Sequence, residues 1–147
     1  MSTTLETKLQ TAMQATLALT SLLALRPDGK AAIFEMQEYQ GTTFPSVTFQ
    51  LISTVNAYAT RYRMQTATSR VQFTVWDTDP ERARSVETAI INFLDTFNAV
   101  SPATNFIGTV PQPVQVVNRR QGGNAQTQPL TFWRTLDAII LNNETLN

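Results

Sequence analysis

Residues 71–90 read VQFTVWDTDPERARSVETAI and contain two hydrophobic periods in succession. Val71, Phe73 and Val75 alternate with polar residues, which indicates a strand that buries one face. After Trp76 the alternation ends, and apolar residues recur at the spacing of a helix. The predicted buried face of this helix consists of Ala83, Val86, Ile90, Phe93 or Leu94, and Phe97. The stretch therefore predicts a strand that leads directly into an amphipathic helix.

Three carboxylates lie between this strand and this helix, at Asp77, Asp79 and Glu81, and either a metal or catalytic site or a helix start could explain them. Asp79 suits the N-cap, because its side-chain oxygen can accept a hydrogen bond from a free backbone N–H of the first turn. Pro80 suits the first helical position, and Glu81 is favourable near the positive end of the helix dipole. A calcium loop would need more oxygen ligands and a glycine-supported turn. We therefore interpret DTDPER as a strand-to-helix junction.

Residues 3–25 are predicted to form a first amphipathic helix with a broad buried face. The residues of that face recur at spacings of three and four: Leu5, Leu9, Ala12, Thr16, Leu19 and Leu23, widened by Met13, Leu22 and Leu25. Pro27, Asp28 and Gly29 then end the helix and turn the chain. The stretch is too polar for a membrane span of about 18 apolar residues, and its flanks do not suit a signal peptide. We expect a soluble, non-secreted protein.

The middle of the chain predicts two long strands. Residues 32–39 suit a short strand, and a half-buried strand begins at Ser46 after a loop. Residues 59–68 are predicted to form an exposed hairpin arm before the strand pattern returns at 70–76. The inward-facing residues of the strand that begins at Ser46 are predicted to be Val47, Phe49, Leu51, Val55 and Ala57.

The C-terminal third predicts two further strands. Residues 99–113 form a proline-punctuated linker, and a fourth main strand starts at Val114. A polar, glycine-containing loop is predicted over 118–129, and residues 142–147 are predicted to be a frayed tail. The last strand, from Leu130 to about Leu141, is predicted to direct five residues to one side: Leu130, Phe132, Leu136, Ala138 and Ile140.

This order of elements, helix–three strands–helix–two strands, predicts a single α+β domain over residues 1–147. We expect a mostly antiparallel twisted sheet with two helices on one face and long hairpin arms. The other face is predicted to carry Thr, Gln, Asn and Tyr residues together with Trp76, and it is available to a partner.

The composition excludes several classes of protein. Lys and Arg number 11, as do Asp and Glu, so the formal net charge is zero and a strongly basic nucleic-acid-binding balance is absent. The chain contains no Cys and no His, which removes thiol chemistry, disulfides, Ser-His-Asp catalysis and the commonest ligands of zinc. Enzymatic chemistry would have to rely on carboxylate, Lys, Tyr or Arg side chains. We therefore expect a protein that is not an enzyme and has no cofactor.

Four weaker patterns have an ordinary structural interpretation as well as a functional one. RRQGGNAQ (119–126) lacks the Lys of a phosphate-binding loop and precedes a strand, which favours a turn. RYR (61–63) is a basic and aromatic cluster that suits either a protein interface or single-stranded nucleic acid. Trp133, next to Arg134, could be a ligand platform, but strand packing is favoured. Glu35 and Glu38 are expected on opposite faces of a strand, so solvated charge is favoured over acid–base catalysis.

Three segments together resemble the bacteriophage tail terminator family, also called tail completion proteins. FPSVTFQLIST (44–54) resembles a P-x-V-x-x-x-x-I/L strand of that family. SRVQFTVWDTDPERARSVETAI (69–90) resembles its arginine-bearing strand that ends in V-W before an alanine-rich helix. PLTFWRTLDAIIL (129–141) resembles its closing strand. The N-terminal helix and the order of elements also agree, so the resemblance covers most of the chain.

The resemblance implies a structural role in the neck region of the virion. Such proteins form a ring, here expected to be a hexamer, on the head-proximal end of a tail tube. The ring stops polymerisation of the tube protein and presents a surface to the head–tail connector. The implied partners are other copies of the chain, the major tail tube protein and the connector. DNA would only pass through the lumen, and no membrane is involved.

Ring closure requires heterologous contacts between subunits. We expect the 56–70 arm and the 118–128 loop to provide such contacts, or contacts with tube and connector. The expected interface residues are Arg61, Tyr62, Arg63, Arg119 and Arg120. Three alternatives remain open from sequence: a head–tail connector or head-closure protein, a nucleic-acid-binding α+β module that uses the four arginines, and a small enzyme that uses carboxylates alone.

Overall fold

A computed structural model describes residues 5–26, 28–35, 44–59, 62–97, 114–124 and 131–143. The helices are α1 (Leu5–Ala15), α2 (Leu17–Thr20) and α3 (Pro80–Thr96). The strands are β1 (Ile33–Glu35), β2 (Ser46–Ala59), β3 (Tyr62–Asp77), β4 (Val114–Asn124) and β5 (Thr131–Asn143). This is the predicted α+β class, in the predicted order of elements.

The five strands form one sheet in the order β1-β2-β3-β5-β4. β1 is parallel to β2, and all other neighbours are antiparallel. Alternate strand residues face α1 and α3, which cover the same side of the sheet and share its core. This helix-covered face contributes eight core residues from the long strands: Val47, Phe49, Val71, Phe73, Val75, Leu136, Ala138 and Ile140. The buried face predicted for α3 is also confirmed, because Ala83, Val86, Ile90, Phe93, Leu94 and Phe97 all belong to this core.

The long β2–β3 hairpin confirms the predicted arm but corrects the side-chain pattern of β2. The register shifts between Leu51 and Ser53, so that Leu51 pairs with Val71 whereas Ser53 pairs with Arg70. A one-residue bulge exchanges the two faces of a strand, so the alternation read from the sequence does not continue. Leu51 precedes the bulge and lies on the predicted face, opposite Val71, although it is 38% exposed. Val55 follows the bulge, pairs with Thr68 on the other face and is 67% exposed, so its predicted inward position is wrong. The side chain of Ala57 lies outside the described part of the arm.

The first helix is shorter than predicted, because it is interrupted at Thr16. Thr16 has an extended backbone (φ −89°, ψ 99°), and its hydroxyl donates to the carbonyl of Ala12 at 2.8 Å. A threonine side chain competes in this way with backbone hydrogen bonding. The break changes the helical phase: Leu19 and Leu23 are buried as predicted, but Leu22 and Leu25 are 36% and 65% exposed.

Two glutamines of α1 bind the backbone next to and within β1. Gln14 donates to the carbonyl of Ala31 at 3.0 Å and accepts from its N–H at 3.2 Å. Gln10 donates to the carbonyl of Ile33 at 3.0 Å. These side chains occupy hydrogen-bonding groups of the edge strand that do not pair with β2. They also fix α1 against the sheet.

The C-terminal hairpin corrects two further predictions. Residues 118–124 belong to strand β4, not to a loop, and they pair with residues 131–137 of β5. Polar residues at the edge of a sheet are compatible with a strand, because one face and one edge are exposed to water. β5 continues to Asn143, so the predicted tail at 142–147 begins too early. The predicted linker at 99–113, the 36–39 part of the first strand and Leu130 lie outside the described residues.

Candidate interaction surface

The acidic segment between β3 and α3 is a hydrogen-bonded junction. Asp79 is the N-cap, and its carboxylate accepts from the N–H of Glu81 at 3.0 Å, with Pro80 in the first turn as predicted. Asp77 is fully buried, and its Oδ1 accepts from the N–H of Thr78 at 2.6 Å. Arg82 donates to both carboxylate oxygens of Asp77, at 2.7 and 2.6 Å. The hydrogen bond from Arg82 to Asp77 raises the pKa of the guanidinium. The side chains of this segment are therefore used to join strand and helix.

A second buried carboxylate joins α3 to β4 and β5. Glu87 is fully buried, and its Oε2 accepts from Arg134 Nε at 3.0 Å. Arg119 also donates to Glu87, through Nη2. Arg134 extends the network to Gln121, whose Oε1 accepts from Nη1 at 2.6 Å. Sequence reasoning missed this network, although Glu87 falls on the apolar face of α3 beside Val86, where a carboxylate needs a buried partner.

The predicted interface residues whose backbone is described lie at two separate places in the sheet. Arg61 lies outside the described residues, and the backbones of Tyr62 and Arg63 begin β3 at the far end of the hairpin arm. Arg119 lies on the helix-covered face with Glu87. Its neighbour Arg120 is exposed on the opposite face, because adjacent strand residues alternate. Arg120 lies opposite Thr135 of β5, which lies opposite Thr74 of β3. Thr74 is roughly 35 Å from Arg63 along β3, at about 3.4 Å per residue.

The sheet face opposite the helices, which we call the open face, is polar across four strands. The register defines four rows of side chains that cross β2, β3, β5 and β4. The rows are Ser46–Trp76–Trp133–Gly122, Thr48–Thr74–Thr135–Arg120, Gln50–Gln72–Asp137–Asn118 and Ser53–Arg70–Ile139–Gln115. The prediction that this face carries Thr, Gln and Asn residues together with Trp76 is confirmed for these rows.

The two tryptophans of the chain lie in the first row of the open face. Trp76 donates from Nε1 to the hydroxyl of Thr48 on β2 at 3.3 Å. Trp133 lies over Gly122 on β4, so close that a Cβ at Gly122 would be 2.5 Å from Cζ2 of the indole. The sequence suggests that Gly122 belongs to a turn. In the structure, this glycine lies in a strand and leaves room for the indole of Trp133. Tryptophan is enriched among the residues that contribute most to binding at protein interfaces.

Asp137 is a buried acid on the open face, only 5% exposed. Its Oδ2 accepts from Arg70 Nη2 at 2.7 Å. Its Oδ1 is buried and has no hydrogen-bond partner among the described residues. Buried carboxylate oxygens are normally paired, so an Oδ1 without a partner among the described residues requires an explanation. Sequence reasoning did not select Asp137, because the acid sits in a strand among apolar residues without a motif.

A groove of about 310 Å³ opens between the start of α3 and the end of the β4–β5 hairpin. Pro80, Ala83 and Phe132 give it apolar walls, and Arg134 borders it. The guanidinium of Arg134 is already engaged by Glu87 and Gln121, so it is not available to an anion in this groove.

Within the described ranges, His, Cys, Asp and Glu side chains do not cluster in groups of three or more that could hold a metal ion. None of the helices in the described part of the chain is long and apolar enough to cross a membrane. Comparison with known protein families gives no matching family model, and comparison with curated proteins gives no matching relative.

Proposed function

We propose that this protein is a structural subunit of a bacteriophage tail terminator, which forms a ring at the head-proximal end of the tail tube. In this role it stops tube polymerisation and presents a surface to the head–tail connector. The chain acts through contact surfaces, without catalysis and without a cofactor. The proposed site of action is the virion neck.

The observation that carries this proposal is the position of the three segments that resemble the terminator family. They lie at the start of β2, along β3 into α3, and along β5. β2, β3 and β5 are consecutive strands of the sheet, and α3 packs on β3 and β5. The resemblance therefore falls on one contiguous unit and not on scattered surface segments.

The hairpin arm supports an assembly role. Beyond the bulge, residues 53–59 of β2 run beside residues 62–70 of β3, over roughly 25 Å at about 3.4 Å per residue. Leu51, Ile52 and Val55 at the base of the arm are 38%, 48% and 67% exposed. A long two-stranded arm is only marginally stable on its own, and packing against another subunit or the tube would stabilise it.

Electron microscopy of a lysate from phage that lacks this gene tests the proposal. We expect abnormally long tails, or filled heads without tails. Tails of normal length joined to heads would rule the proposal out.

A second experiment tests the arm as the ring contact. In phage complemented with the triple variant Arg61→Ala, Tyr62→Ala, Arg63→Ala, we expect the same tail defect while the purified variant keeps the circular dichroism spectrum of the wild type. Arg84→Ala is the matched control, because Arg84 is 60% exposed on α3 and its ion pair with Glu81 is long, at 3.5 Å. Normal tails with the triple variant would remove the arm from the proposal.

A further inference from the structure

The open face carries a buried acceptor that lacks a donor among the described residues. Asp137 Oδ1 is buried without a partner, while Oδ2 is held by Arg70. The atom has no appreciable exposed surface, so a donor from outside reaches it only when the carboxylate or a neighbouring side chain shifts, and a donor on a long, narrow stem requires the smallest shift. Lys and Arg fit this description, because each carries only donors at the end of a long stem.

The same face carries a charged donor that lacks an acceptor in the described part of the chain. Arg120 is exposed on β4, and no hydrogen bond or ion pair joins its guanidinium to any described residue. It lies one strand and one row away from Asp137, since Arg120 pairs with Thr135 and Asn118 pairs with Asp137. In contrast, the neighbouring Arg119 is held by Glu87 on the other face.

We propose that two copies of this chain pack through their open faces, with Arg120 of each copy bound to Asp137 of the other. In a two-fold contact, residue i meets residue j and residue j meets residue i, so one unpaired donor and one unpaired acceptor on a single face are satisfied together. The dimer supplies the missing donor to both copies of Asp137 Oδ1.

The dimensions of side chains and sheets allow this contact. Packed sheets lie about 10 Å apart, which is roughly the combined reach of an extended arginine and an aspartate. Neighbouring strands are about 4.8 Å apart, and successive residues on the same face of a strand are about 6.8 Å apart. At these spacings, both Arg120–Asp137 ion pairs form when the strands of the two copies cross at roughly 70°. This angle is near the orthogonal class of sheet packing. Asn118 and Thr135 then lie close to the two-fold axis.

The remaining rows suit such a contact. Trp76 and Trp133 lie at one end of the face, and Gln50, Gln72 and Thr74 provide amide and hydroxyl groups that can pair across it. Four strands by four rows cover roughly 19 by 27 Å in projection at ordinary sheet spacings. This footprint is at the small end of stable interfaces, which bury about 800 Å² per partner, so we expect a dissociation constant near the micromolar range.

The inference does not depend on the proposed function. Ring contacts through the arm are heterologous, whereas the face-to-face contact is isologous and closes at two copies. Sedimentation velocity of the purified protein distinguishes the two, because it separates a dimer from a hexamer. The face-to-face dimer can fail while the tail phenotype stands, and the reverse also holds.

The test is a concentration series by sedimentation velocity. We expect the wild type to pass from monomer to dimer, and Asp137→Asn and Arg120→Gln each to weaken the dimer at least about 30-fold, since each removes two ion pairs at once. Arg84→Gln, which changes an exposed arginine on α3, should leave the dimer unchanged. A wild type that stays monomeric to ~100 µM, well above the expected dissociation constant, would overturn the proposal. A dimer that survives both substitutions would also overturn it.

A crosslinking experiment checks the geometry independently of folding effects. The chain has no cysteine, so Asn118→Cys places a single thiol close to the proposed axis. A short bis-maleimide should join two copies through this thiol, and it should not join copies of Arg84→Cys. Equal crosslinking of the two variants would show that the copies do not meet through the open face.

Discussion

Gly122 of β4 lies directly beneath the indole of Trp133 on β5, with no space between backbone and ring for a methyl group. A Cβ at this position would be 2.5 Å from Cζ2 and 2.7 Å from Cε2. We expect Gly122→Ala to displace the ring and to destabilise the protein by about 1–3 kcal/mol, the usual cost of overpacking. Urea denaturation measures this free energy. Tryptophan fluorescence in a Trp76→Phe background reports the displaced ring.

Gly123→Ala is the matched control for that substitution. The nearest atom to its added Cβ is 3.4 Å away, on Phe132, which is an ordinary contact. We expect this neighbour to tolerate alanine within about 0.5 kcal/mol. Equal effects at the two glycines would contradict the close approach of Trp133.

The buried carboxylate of Glu87 predicts a large effect of truncation. Glu87→Ala leaves Arg134, which is only 18% exposed, without its carboxylate. Removing one partner of a buried ion pair costs about 3–5 kcal/mol, because the other charge stays uncompensated. We expect a loss of this size in the free energy of unfolding, measured by urea denaturation.

Replacing both charges separates this cause from a simple loss of packing. Glu87→Met combined with Arg134→Met removes the charges and keeps most of the volume, and we expect it to recover most of the stability. If the double variant were as unstable as Glu87→Ala, the uncompensated charge would not be the cause.

Three alanine substitutions at the junction before α3 are expected to lower the stability of the protein by different amounts. Asp79→Ala removes one N-cap hydrogen bond and should cost about 1 kcal/mol. Asp77→Ala should cost about 3 kcal/mol, because it removes the acceptor of two backbone N–H groups and of Arg82 at a buried position. Glu81→Ala, on an exposed first turn, should change stability by only a few tenths of a kcal/mol. Thermal unfolding of the three variants should keep this order, and a larger effect at Asp79 than at Asp77 would refute it.

The turn after α2 contains a carboxylate, Asp28, whose pKa is lowered by its neighbours. The hydrogen bond from Arg26 to Asp28, together with the Lys30 N–H, lowers the pKa of Asp28 from 3.8 to about 2. The associated stabilisation is complete above pH 3.8 and is lost as the pH falls through about 2, since protonation removes the charge that Arg26 binds. Carboxyl NMR shifts during an acid titration measure this pKa directly.

Arg26→Gln should return the Asp28 pKa toward 3.8, whereas Lys30→Gln removes only the weakest cause and should change it little. A pKa near 3.8 in the wild type would disprove the pairing.

Sequence patterns predict the parts of this fold that depend on local periodicity and capping. The change of period at Trp76, the Asp79 N-cap and the buried face of α3 are properties of neighbouring residues, and all are confirmed. The bulge after Leu51 and the break at Thr16 do not follow from the sequence patterns. Each depends on how a segment meets its partners in the folded protein, which a one-dimensional pattern does not contain.

The candidate surface follows from the sequence only in part. The polar face with Trp76 follows from strand alternation, but its key acid, Asp137, is defined by the register of three strands. The two glycines of RRQGGN indicate a turn, whereas Gly122 is required by Trp133, eleven residues further along the chain. The pairing of Arg119 with Glu87 separates it from Arg120 and likewise depends on tertiary contacts.

The glutamines of α1 also affect how the folded protein behaves at high local concentration. An exposed strand edge can template the addition of foreign strands, which is a common route to aggregation. Beside β1, the amides of Gln10 and Gln14 already occupy the carbonyls of Ile33 and Ala31. An incoming strand would have to displace both side chains and loosen α1 before it could bind there. Two side chains of α1 therefore protect the β1 edge of the sheet against the addition of strands that would start a fibre.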